Sequence, residues 1–333
     1  MIEVQHLTKR YGSHEAVSDL SFTVETGQIY GFLGPNGAGK STTMNMMTGC
    51  IAATEGQILI DGHDIFEDAM AAKKCIGYLP EQPPLYPDMT PLEYLRFVAQ
   101  AKKVPPAARS AQVAHAIAVT QIGSVQNRLM KHLSKGYRQR VGIAQALLGD
   151  PEIIILDEPT VGLDPLQIIE IRDLIKSLGK THTVILSSHI LSEIQAVCDA
   201  VLIIANGKLV ACDTTQNLET LFAGSNTLSL TVRATEAEVQ AALAGVEGIQ
   251  SLCCTAVEGA TQVELTAEAG QDLAEAVFFA FAAVRRPIVR MNTVRASLEE
   301  VFIELTQSPS APPVISSAET TQPEEGSTDD SNL

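Results

Sequence analysis

The residues from Gly34 to Thr42 have the types and spacing of a phosphate-binding loop, G-x-x-x-x-G-K-S-T. Glycines let the backbone curl so that successive N–H groups point at one anion. A helix that begins here adds its positive end and its unpaired amides. Lys40 brings a mobile positive charge to the outer phosphates, and the Ser41 hydroxyl is a suitable Mg²⁺ ligand. The predicted nucleotide site consists of Gly34, Pro35, Asn36, Gly37, Ala38, Gly39, Lys40, Ser41 and Thr42.

Two adjacent carboxylates, Asp157 and Glu158, follow the apolar run Ile153–Leu156. An unbroken apolar run is typical of a parallel strand that is covered on both faces. Nucleotide sites of open α/β sheets lie at the carboxyl ends of such strands. Asp157 would hold Mg²⁺ through water, and Glu158 could polarise the water that attacks the terminal phosphate. The alternative for an acidic pair at a strand end is a helix N-cap.

A third segment, Leu133–Arg140, precedes a helix predicted over Val141–Leu148. Ser134 is suited to cap that helix, and Gly136 allows the backbone to approach an anion closely. Taken alone, this segment predicts a capped helix and nothing more.

The elements around these motifs predict an α/β domain. Gln28–Leu33 has the pattern of a strand that runs into the phosphate loop, and Ser41–Thr48 that of the helix after it. Alternating apolar residues within 1–26 indicate antiparallel strands. Helical periodicity between about residues 88 and 148 predicts a helical insert between two halves of the sheet domain.

The last third of the chain predicts a second domain and a tail. Over residues 226–306, strand and helix patterns alternate in the split βαβ order of a ferredoxin-like domain, with a final helix at Ser297–Leu305. Residues 307–333 contain five acidic and no basic residues among Ser, Thr and Pro. This composition predicts a disordered, solvated acidic tail, and a docking role is the alternative.

Composition and net charge limit which partners and which cellular compartment are expected for this chain. The chain has 333 residues and a net charge of −16, which disfavours a nucleic-acid partner. Its six cysteines form no C-x-x-C pair, so we expect reduced, mostly buried thiols rather than a zinc site. No signal segment and no apolar run of membrane-spanning length occur. We therefore expect a cytoplasmic protein that reaches a membrane only through a partner.

Together, these motifs resemble those of the ATPase subunit of ABC transporters, and the resemblance covers residues 1–222. The resemblance rests on six motifs in the order that the family shows. They are Gly34–Thr42, Gln82, Leu133–Arg140, Ile154–Glu158, Gly162–Asp164 and Ser188–His189. It implies an ABC-type nucleotide-binding domain, with a P-loop NTPase core, an antiparallel β subdomain and a helical subdomain.

The resemblance also implies a head-to-tail dimer that encloses two ATP molecules, with ATP and Mg²⁺ as cofactors. Each ATP would be held by the phosphate loop of one subunit and by Ser134, Gly136 and Tyr137 of the other. The resemblance further implies that Tyr11 stacks on adenine and that Ser41, Asp157 and Gln82 bind Mg²⁺ and water. It implies that Glu158 is the general base and that His189 contacts the γ-phosphate. Asp164 would couple the two sites across the dimer.

Simpler roles remain open for three of these residues. Tyr11 could be an ordinary loop aromatic, Gln82 a polar hinge residue and His189 a residue at a helix N-terminus.

One departure from the family pattern refines the resemblance. Lys135 replaces the first glycine of the usual Leu-Ser-Gly-Gly-Gln signature, and Tyr137 replaces its glutamine. This variant is similar to the subfamily that serves exporters of drugs, polymers and gliding-motility components. The segments Ile76–Pro87 and Ser297–Phe302 and the accessory domain are also similar to that subfamily.

The function that the resemblance implies is energy coupling. ATP binding would close the dimer, hydrolysis would reopen it, and a separate integral-membrane permease would receive the motion at a groove near Gln82–Asp88. The second subunit would be another copy or a homologous ATPase, and the pair would sit on the cytoplasmic face of the membrane. Residues 226–306 would support dimerisation or regulate the cycle.

The alternative is a soluble ABC-type ATPase that acts on nucleic acid or ribosomes. Such translation factors carry two ATPase cassettes in one chain, whereas this sequence has one phosphate loop. The DNA-repair and chromosome relatives insert a long coiled coil between the phosphate loop and the signature, and the spacing here leaves no room for one. The acidic balance also opposes this alternative.

Overall fold

The computed structural model describes residues 1–222, 227–257, 259–267, 271, 273–294, 302 and 314–315. The predicted helix at Ser297–Leu305 and most of the predicted tail lie outside these residues, apart from single positions within them. None of the helices in the described part is long and apolar enough to cross a membrane.

Fifteen strands are described. In chain order they are β1 (Ile2–Tyr11), β2 (His14–Val24), β3 (Ile29–Leu33), β4 (Glu55–Ile60), β5 (His63–Asp64), β6 (Ile76–Leu79), β7 (Ile153–Leu156), β8 (Thr183–Ser188), β9 (Ala200–Ala205), β10 (Lys208–Thr214), β11 (Thr227–Val232), β12 (Ile249–Val257), β13 (Ala260–Ala267), β14 (Ile288–Val294) and β15 (Val314–Ile315).

Ten α-helices lie between these strands. They are α1 (Lys40–Met47), α2 (Ala69–Lys74), α3 (Pro91–Ala101), α4 (Pro106–Val119), α5 (Lys135–Leu147), α6 (Pro165–Leu178), α7 (Leu191–Val197), α8 (Thr215–Phe222), α9 (Glu236–Leu243) and α10 (Ala274–Ala283). Two short 3₁₀ turns, Gly123–Val125 and Met130–His132, precede α5.

The central sheet has the strand order β15-β10-β9-β3-β8-β7-β6. The strands β9, β3, β8, β7 and β6 are mutually parallel, and β7 is buried along its whole length, as its apolar run predicts. The carboxyl ends of parallel strands meet at one edge of a sheet. The loops after β3, β6, β7 and β8 therefore converge, and these loops carry the predicted phosphate, carboxylate and histidine groups.

A four-stranded antiparallel sheet, in the order β2-β1-β4-β5, packs against the central sheet. Its inward residues and those of the central sheet form one apolar core, in which Phe22 and Phe32 meet with ring centroids 5.9 Å apart. This core anchors the strand β3 that leads into the phosphate loop. The opposite face of the central sheet is covered by α6 and α7.

The helical insert consists of α3, α4 and α5 around a separate apolar core. A capping box between Thr90 and Glu93 begins α3. The helix α5 begins at Lys135, not at Val141 as predicted, because the Ser134 side chain accepts a hydrogen bond from the Tyr137 amide and starts the helix there. The predicted Ser134 N-cap is present, and the residues that follow it are helical.

The C-terminal part has a four-stranded antiparallel sheet in the order β12-β13-β11-β14, with α9 and α10 packed on one face. This order and the helix positions are those of the split βαβ arrangement. In the tail, Val314 and Ile315 form strand β15, which pairs in parallel with Ala211 and Cys212 of β10. At these two tail residues the structure differs from the predicted disorder.

Candidate functional site

Lys40 is the first residue of α1 and lies at the centre of the phosphate loop. Its ammonium donates hydrogen bonds to the carbonyls of Gly34 at 2.7 Å and Pro35 at 3.3 Å, and lies 3.7 Å from Oε1 of Glu158. The residue is only 6% exposed, and this burial lowers the pKa of its amine, against the opposing effect of Glu158. The loop thus holds a buried cation that an anionic ligand would stabilise.

The backbone of the loop has the conformation that its glycines allow. Gly37 and Gly39 adopt positive φ angles of 81° and 104°, and Gly39 precedes the first residue of α1. At Gly34 a Cβ atom would collide with the Ile204 carbonyl, so a side chain has no room there. These features aim the amides at the start of α1 towards a shared anion site.

A cavity of about 470 Å³ opens over this loop, and we call it the phosphate cavity. Its lining includes the residues Tyr11, His14, Ala16, Asn36, Gly37, Gly39, Lys40, Ser41, Thr42, Glu81, Glu158, Val161 and His189. The predicted residues Gly34, Pro35 and Ala38 are not in this lining. Gly34 and Pro35 support the cavity through carbonyls that accept from Lys40, and Ala38 is buried.

Asp157 is fixed at the end of β7 by three contacts. Its amide donates to the Leu79 carbonyl at 2.9 Å, and the Ser187 hydroxyl donates to Oδ1 at 2.6 Å. The Ser41 hydroxyl donates to the same oxygen at 3.4 Å. Hard oxygen donors of this kind suit Mg²⁺, which takes one or two carboxylates and completes its shell with waters and phosphates. The donor set therefore fits Mg²⁺.

Glu158 has a strained backbone, with φ at +47°. For a residue other than glycine this left-handed conformation costs about 1–3 kcal/mol, and such strain is common at functional sites. The Ser187 hydroxyl accepts a hydrogen bond from the Glu158 amide at 2.8 Å and holds this conformation. On the side chain, Oε2 lies 2.9 Å from Nδ1 of His189. The carboxylate is thereby held between the buried Lys40 ammonium and the imidazole.

The structure separates Gln82 from the phosphate cavity. Gln82 lines a different cavity, together with Lys135 and Gln139. Its neighbour Glu81 lines both cavities, and its negative charge acts to raise the pKa of the Lys40 ammonium. In this structure the Gln82 side chain lies outside the phosphate cavity, and its role towards Mg²⁺ and water stays a prediction. Both residues lie in the bend after β6, where no sequence periodicity indicates the direction of a side chain.

Four predicted residues lie together in another place. Ser134, Gly136, Tyr137 and Asp164 line a second cavity of about 370 Å³, between the N-terminal ends of α5 and α6. Asp164 caps α6 by accepting from the Gln167 amide at 3.0 Å. This cavity shares no lining residue with the phosphate cavity. Within one copy of the chain, the predicted ATP-binding residues thus form two separate groups.

Glu193 is a buried residue of this region that the sequence did not indicate. Its Oε2 accepts hydrogen bonds from Thr160 at 2.6 Å and from Ser188 at 3.0 Å, and Arg172 lies 3.9 Å from its other oxygen. It therefore joins the loop that follows β7 to the end of β8. An acidic residue in the first turn of a helix normally indicates only a favourable helix dipole, so no signal distinguished it.

Comparisons with known proteins agree with this geometry. The family described as "ABC transporter" matches residues 17–161. The bacitracin transport ATP-binding protein BcrA of Bacillus licheniformis is 43% identical over 63% of this chain and 68% of its own length. The linearmycin resistance ATP-binding protein LnrL of Bacillus subtilis (strain 168) is 30% identical over 92% of this chain and 98% of its own length.

A solved dimeric ATP-binding cassette, bound to ADP and Pi, is similar in fold. It has a TM-score of 0.58 and 25% sequence identity over 64% of this chain and 98% of the solved chain. The family match over residues 17–161 includes the phosphate loop and the two carboxylates at the end of β7. The chain belongs to the ABC transporter family, as the ATPase subunit that couples ATP hydrolysis to transport by a membrane transporter.

Proposed function

We propose that two copies of the chain, or one copy and a homologous subunit, assemble head to tail and enclose ATP between them. One observation carries this proposal: the phosphate cavity and the second cavity share no lining residue. Ser134, Gly136, Tyr137 and Asp164 therefore need a second subunit to reach the ATP that a phosphate loop holds. In this arrangement each ATP is sandwiched between the phosphate cavity of one subunit and the second cavity of the other.

Within the phosphate cavity, we assign ATP binding and hydrolysis to side chains that hydrogen bonds and ion pairs hold in place. Lys40 and the loop amides bind the phosphates, and ATP displaces the carbonyl contacts of the Lys40 ammonium. Glu158 accepts a proton from the attacking water as general base. His189, 2.9 Å from that carboxylate, holds it in place and contacts the γ-phosphate. Tyr11, half exposed at the cavity rim, stacks on adenine.

We further propose that Ser41, Asp157 and Glu81 hold Mg²⁺, with Glu81 in the role that the sequence assigned to Gln82. All three offer oxygen, and Glu81 lines the cavity that contains Ser41. A bound Mg²⁺ would neutralise charge on the β- and γ-phosphates. The protein's contribution is to fix the Asp157 carboxylate through the Ser187 hydroxyl, and the Asp157 backbone through the Leu79 carbonyl.

The partner that we propose is an integral-membrane permease, bound on the cytoplasmic face of the membrane, and the transporter is an exporter. The relatives' names refer to bacitracin transport and linearmycin resistance, and the Lys135 and Tyr137 variant of the signature resembles exporter subunits. Four residues after Gln82 in the chain lies the exposed Tyr86, whose ring meets that of the exposed Phe97 edge to face, with ring centroids 5.7 Å apart. An exposed aromatic pair of this kind is suited to a protein interface.

The dimer is tested by size-exclusion chromatography of Glu158→Gln, which retains ATP but cannot activate water. We expect this variant to run at twice the monomer mass with Mg²⁺ and ATP, and at the monomer mass without nucleotide. Adding Ser134→Ala and Asp164→Ala should restore the monomer. Retention of ATP by a strictly monomeric Glu158→Gln protein would contradict the sandwich. Purification through a tag on this chain, from detergent-solubilised membranes, tests whether an integral-membrane permease is bound to it.

For residues 226–306 we propose support of dimerisation or regulation of the cycle. Truncation after Ala223 should then change the ATPase rate or the dimer population. An unchanged rate and an unchanged dimer would leave these residues without either role.

A further inference from the structure

Another cavity lies away from the ATP-binding residues, at the edge of the central sheet where β6 and β7 begin. It measures about 460 Å³, and we call it the lysine cavity. One side is formed by α2 and the start of β6, and the other by residues at the ends of α3 and α5. Its lining residues are Met70, Lys73, Lys74, Ile76, Ala101, Lys102, Lys103, Val104, Pro105, Gln112, Leu148 and Gly149.

The lysine cavity is positively charged although the chain as a whole is acidic, with a net charge of −16. Four lysines line the cavity, and its described lining contains no aspartate or glutamate. The cavities around Lys40, Ser134 and Gln82, in contrast, each include at least one carboxylate. An anion that entered the lysine cavity would therefore meet positive charge that no lining carboxylate offsets.

The four ammonium groups differ in their partners. Lys102 donates to three carbonyls at the end of α5, at 2.8 to 3.2 Å, and Lys73 donates to the Gly49 carbonyl at 3.0 Å. Lys74 and Lys103 have no side-chain hydrogen bond or ion pair with any residue that the structure describes. Burial lowers the pKa of Lys102 to about 8, and a nearby anion would stabilise its charged form. Lys74 and Lys103 are thus available to pair with an anion.

The acidic tail of the same chain complements this cavity. After Ile315 the sequence has five acidic residues and no basic one, and residues 324–330 contain four of the five. We call residues 324–330 the acidic segment. The strand β15 ends at Ile315 and is parallel to β10, which is antiparallel to β9. The chain therefore leaves β15 towards the edge where β6 and β7 begin, and the lysine cavity lies at that edge.

The length of the tail agrees with this placement. Six strand spacings of about 4.8 Å separate β15 from β6, which gives about 29 Å. An extended chain covers about 3.3–3.6 Å per residue, so the acidic segment can reach about 30–54 Å from Ile315. Glu319 lies only four residues beyond Ile315 and reaches about 14 Å. The acidic segment can therefore reach the cavity, whereas Glu319 cannot.

We propose that the acidic segment docks in the lysine cavity of its own chain. Lys74 and Lys103 pair with its carboxylates, and Lys102 adds its charge. Single exposed ion pairs contribute little, but several carboxylates against several cations form a network. Because Lys74 precedes β6 of the sheet domain and Lys103 follows α3 of the helical insert, the docked segment ties the two parts of the ATPase domain together.

Two other occupants fit the cavity less well. A small free anion such as phosphate needs several donors around it, and the Lys73 and Lys102 ammonium groups already donate to carbonyls. The tail of a second copy carries the same charges, but it must arrive from another molecule. The chain's own tail is covalently attached, so its effective concentration at the cavity is high.

Carbodiimide crosslinking of the full chain, without nucleotide or partner, tests the contact directly. The reagent joins a lysine amine to a carboxylate as an amide and takes up the water that is lost. Mass spectrometry should find Lys74 or Lys103 linked to Glu324, Glu325, Asp329 or Asp330. The sample is an equal mixture of ¹⁵N-labelled and unlabelled chains, so a link within one chain joins peptides that carry the same label.

Three results would overturn the proposal. One is that these links join peptides of different label, which would assign the cavity to a second copy. Another is that Lys74 and Lys103 link only to Glu319, which is too close to β15 to reach the cavity. The third is that neither lysine links to the tail at all.

Charge-reversal variants separate docking from general electrostatics. Lys74→Glu combined with Lys103→Glu should speed cleavage within the acidic segment by a glutamate-specific protease about three- to tenfold, because docking protects the segment. The control is Lys176→Glu combined with Lys180→Glu, which changes the net charge equally at two exposed lysines outside the cavity. This control should be cleaved at the wild-type rate. Equal acceleration in both variants, or none in the first, would contradict docking in the lysine cavity.

Discussion

The Nδ1 atom of His189 lies 2.9 Å from Oε2 of Glu158, although 31 residues separate them in the chain. Each follows a parallel strand, β8 and β7, and these strands are neighbours whose register pairs Leu156 with Leu186. The contact is therefore a product of the sheet, which brings the imidazole to the carboxylate.

Glu158→Gln should leave ATP binding intact and lower ATP turnover about 10²–10⁴-fold, the range for loss of a general base. The amide keeps the volume and one oxygen, but it cannot accept a proton. Phosphate release and nucleotide binding are measured on the same preparation. Glu152→Gln, at the exposed amino end of the same strand, is the matched control. Turnover near the wild-type rate in Glu158→Gln would remove the assigned role.

Glu81→Ala should raise the Mg²⁺ concentration that half-maximally supports ATP-induced dimerisation in the Glu158→Gln background. We expect an increase of about 10–100-fold, comparable with the loss of a supporting metal contact. Gln82→Ala is the neighbouring control and should shift this midpoint little, because its side chain lines the separate cavity of Lys135 and Gln139. The assignment fails if Gln82→Ala produces the larger shift.

ATP binding should take up a proton at alkaline pH. Burial lowers the pKa of Lys40 in the free protein, and the phosphates of ATP raise it again. Between these two pKa values the bound state holds more protons, so affinity falls as pH rises through that window. Calorimetric titration in two buffers of different ionisation enthalpy measures the uptake. Lys40→Met should abolish the buffer-dependent difference, and its persistence would assign the proton to another group.

Glu193→Leu should lower the free energy of unfolding by about 2–4 kcal/mol. The substitution leaves the Thr160 and Ser188 hydroxyls without their acceptor and Arg172 without its nearby carboxylate. Glu193→Gln keeps an oxygen for both hydroxyls and should cost less. Urea denaturation of the two variants gives the comparison, and equal losses would show that the hydrogen bonds contribute little.

Much of the fold was readable from the sequence because its signals are local and strong. The apolar run Ile153–Leu156 predicted a fully covered strand, and β7 is buried along its whole length. The helix α5 was predicted too late because Lys135–Arg140 is polar, and polar residues at a first turn carry little apolar periodicity. The cap at Ser134 was the better guide to its beginning.

The candidate site was predictable in its parts and less so in its assembly. Motif spacing indicated the phosphate loop and Glu158, and the family resemblance indicated His189. The structure brings the three together because each follows a strand at the same sheet edge. No sequence signal indicated that Glu81 lines the phosphate cavity, because the direction of its side chain depends on how the loop after β6 leaves its strand. Glu193 was equally hidden, since a buried hydrogen-bond acceptor is defined by partners distant in sequence.

The shared wall between the phosphate cavity and the cavity of Gln82 and Lys135 consists, in the described lining, of Glu81 and Val161. Substitutions at Gln82 or Lys135 can therefore reshape the second cavity while the residues that line only the phosphate cavity stay unchanged. The two surfaces can vary almost independently in sequence, provided that positions 81 and 161 are kept.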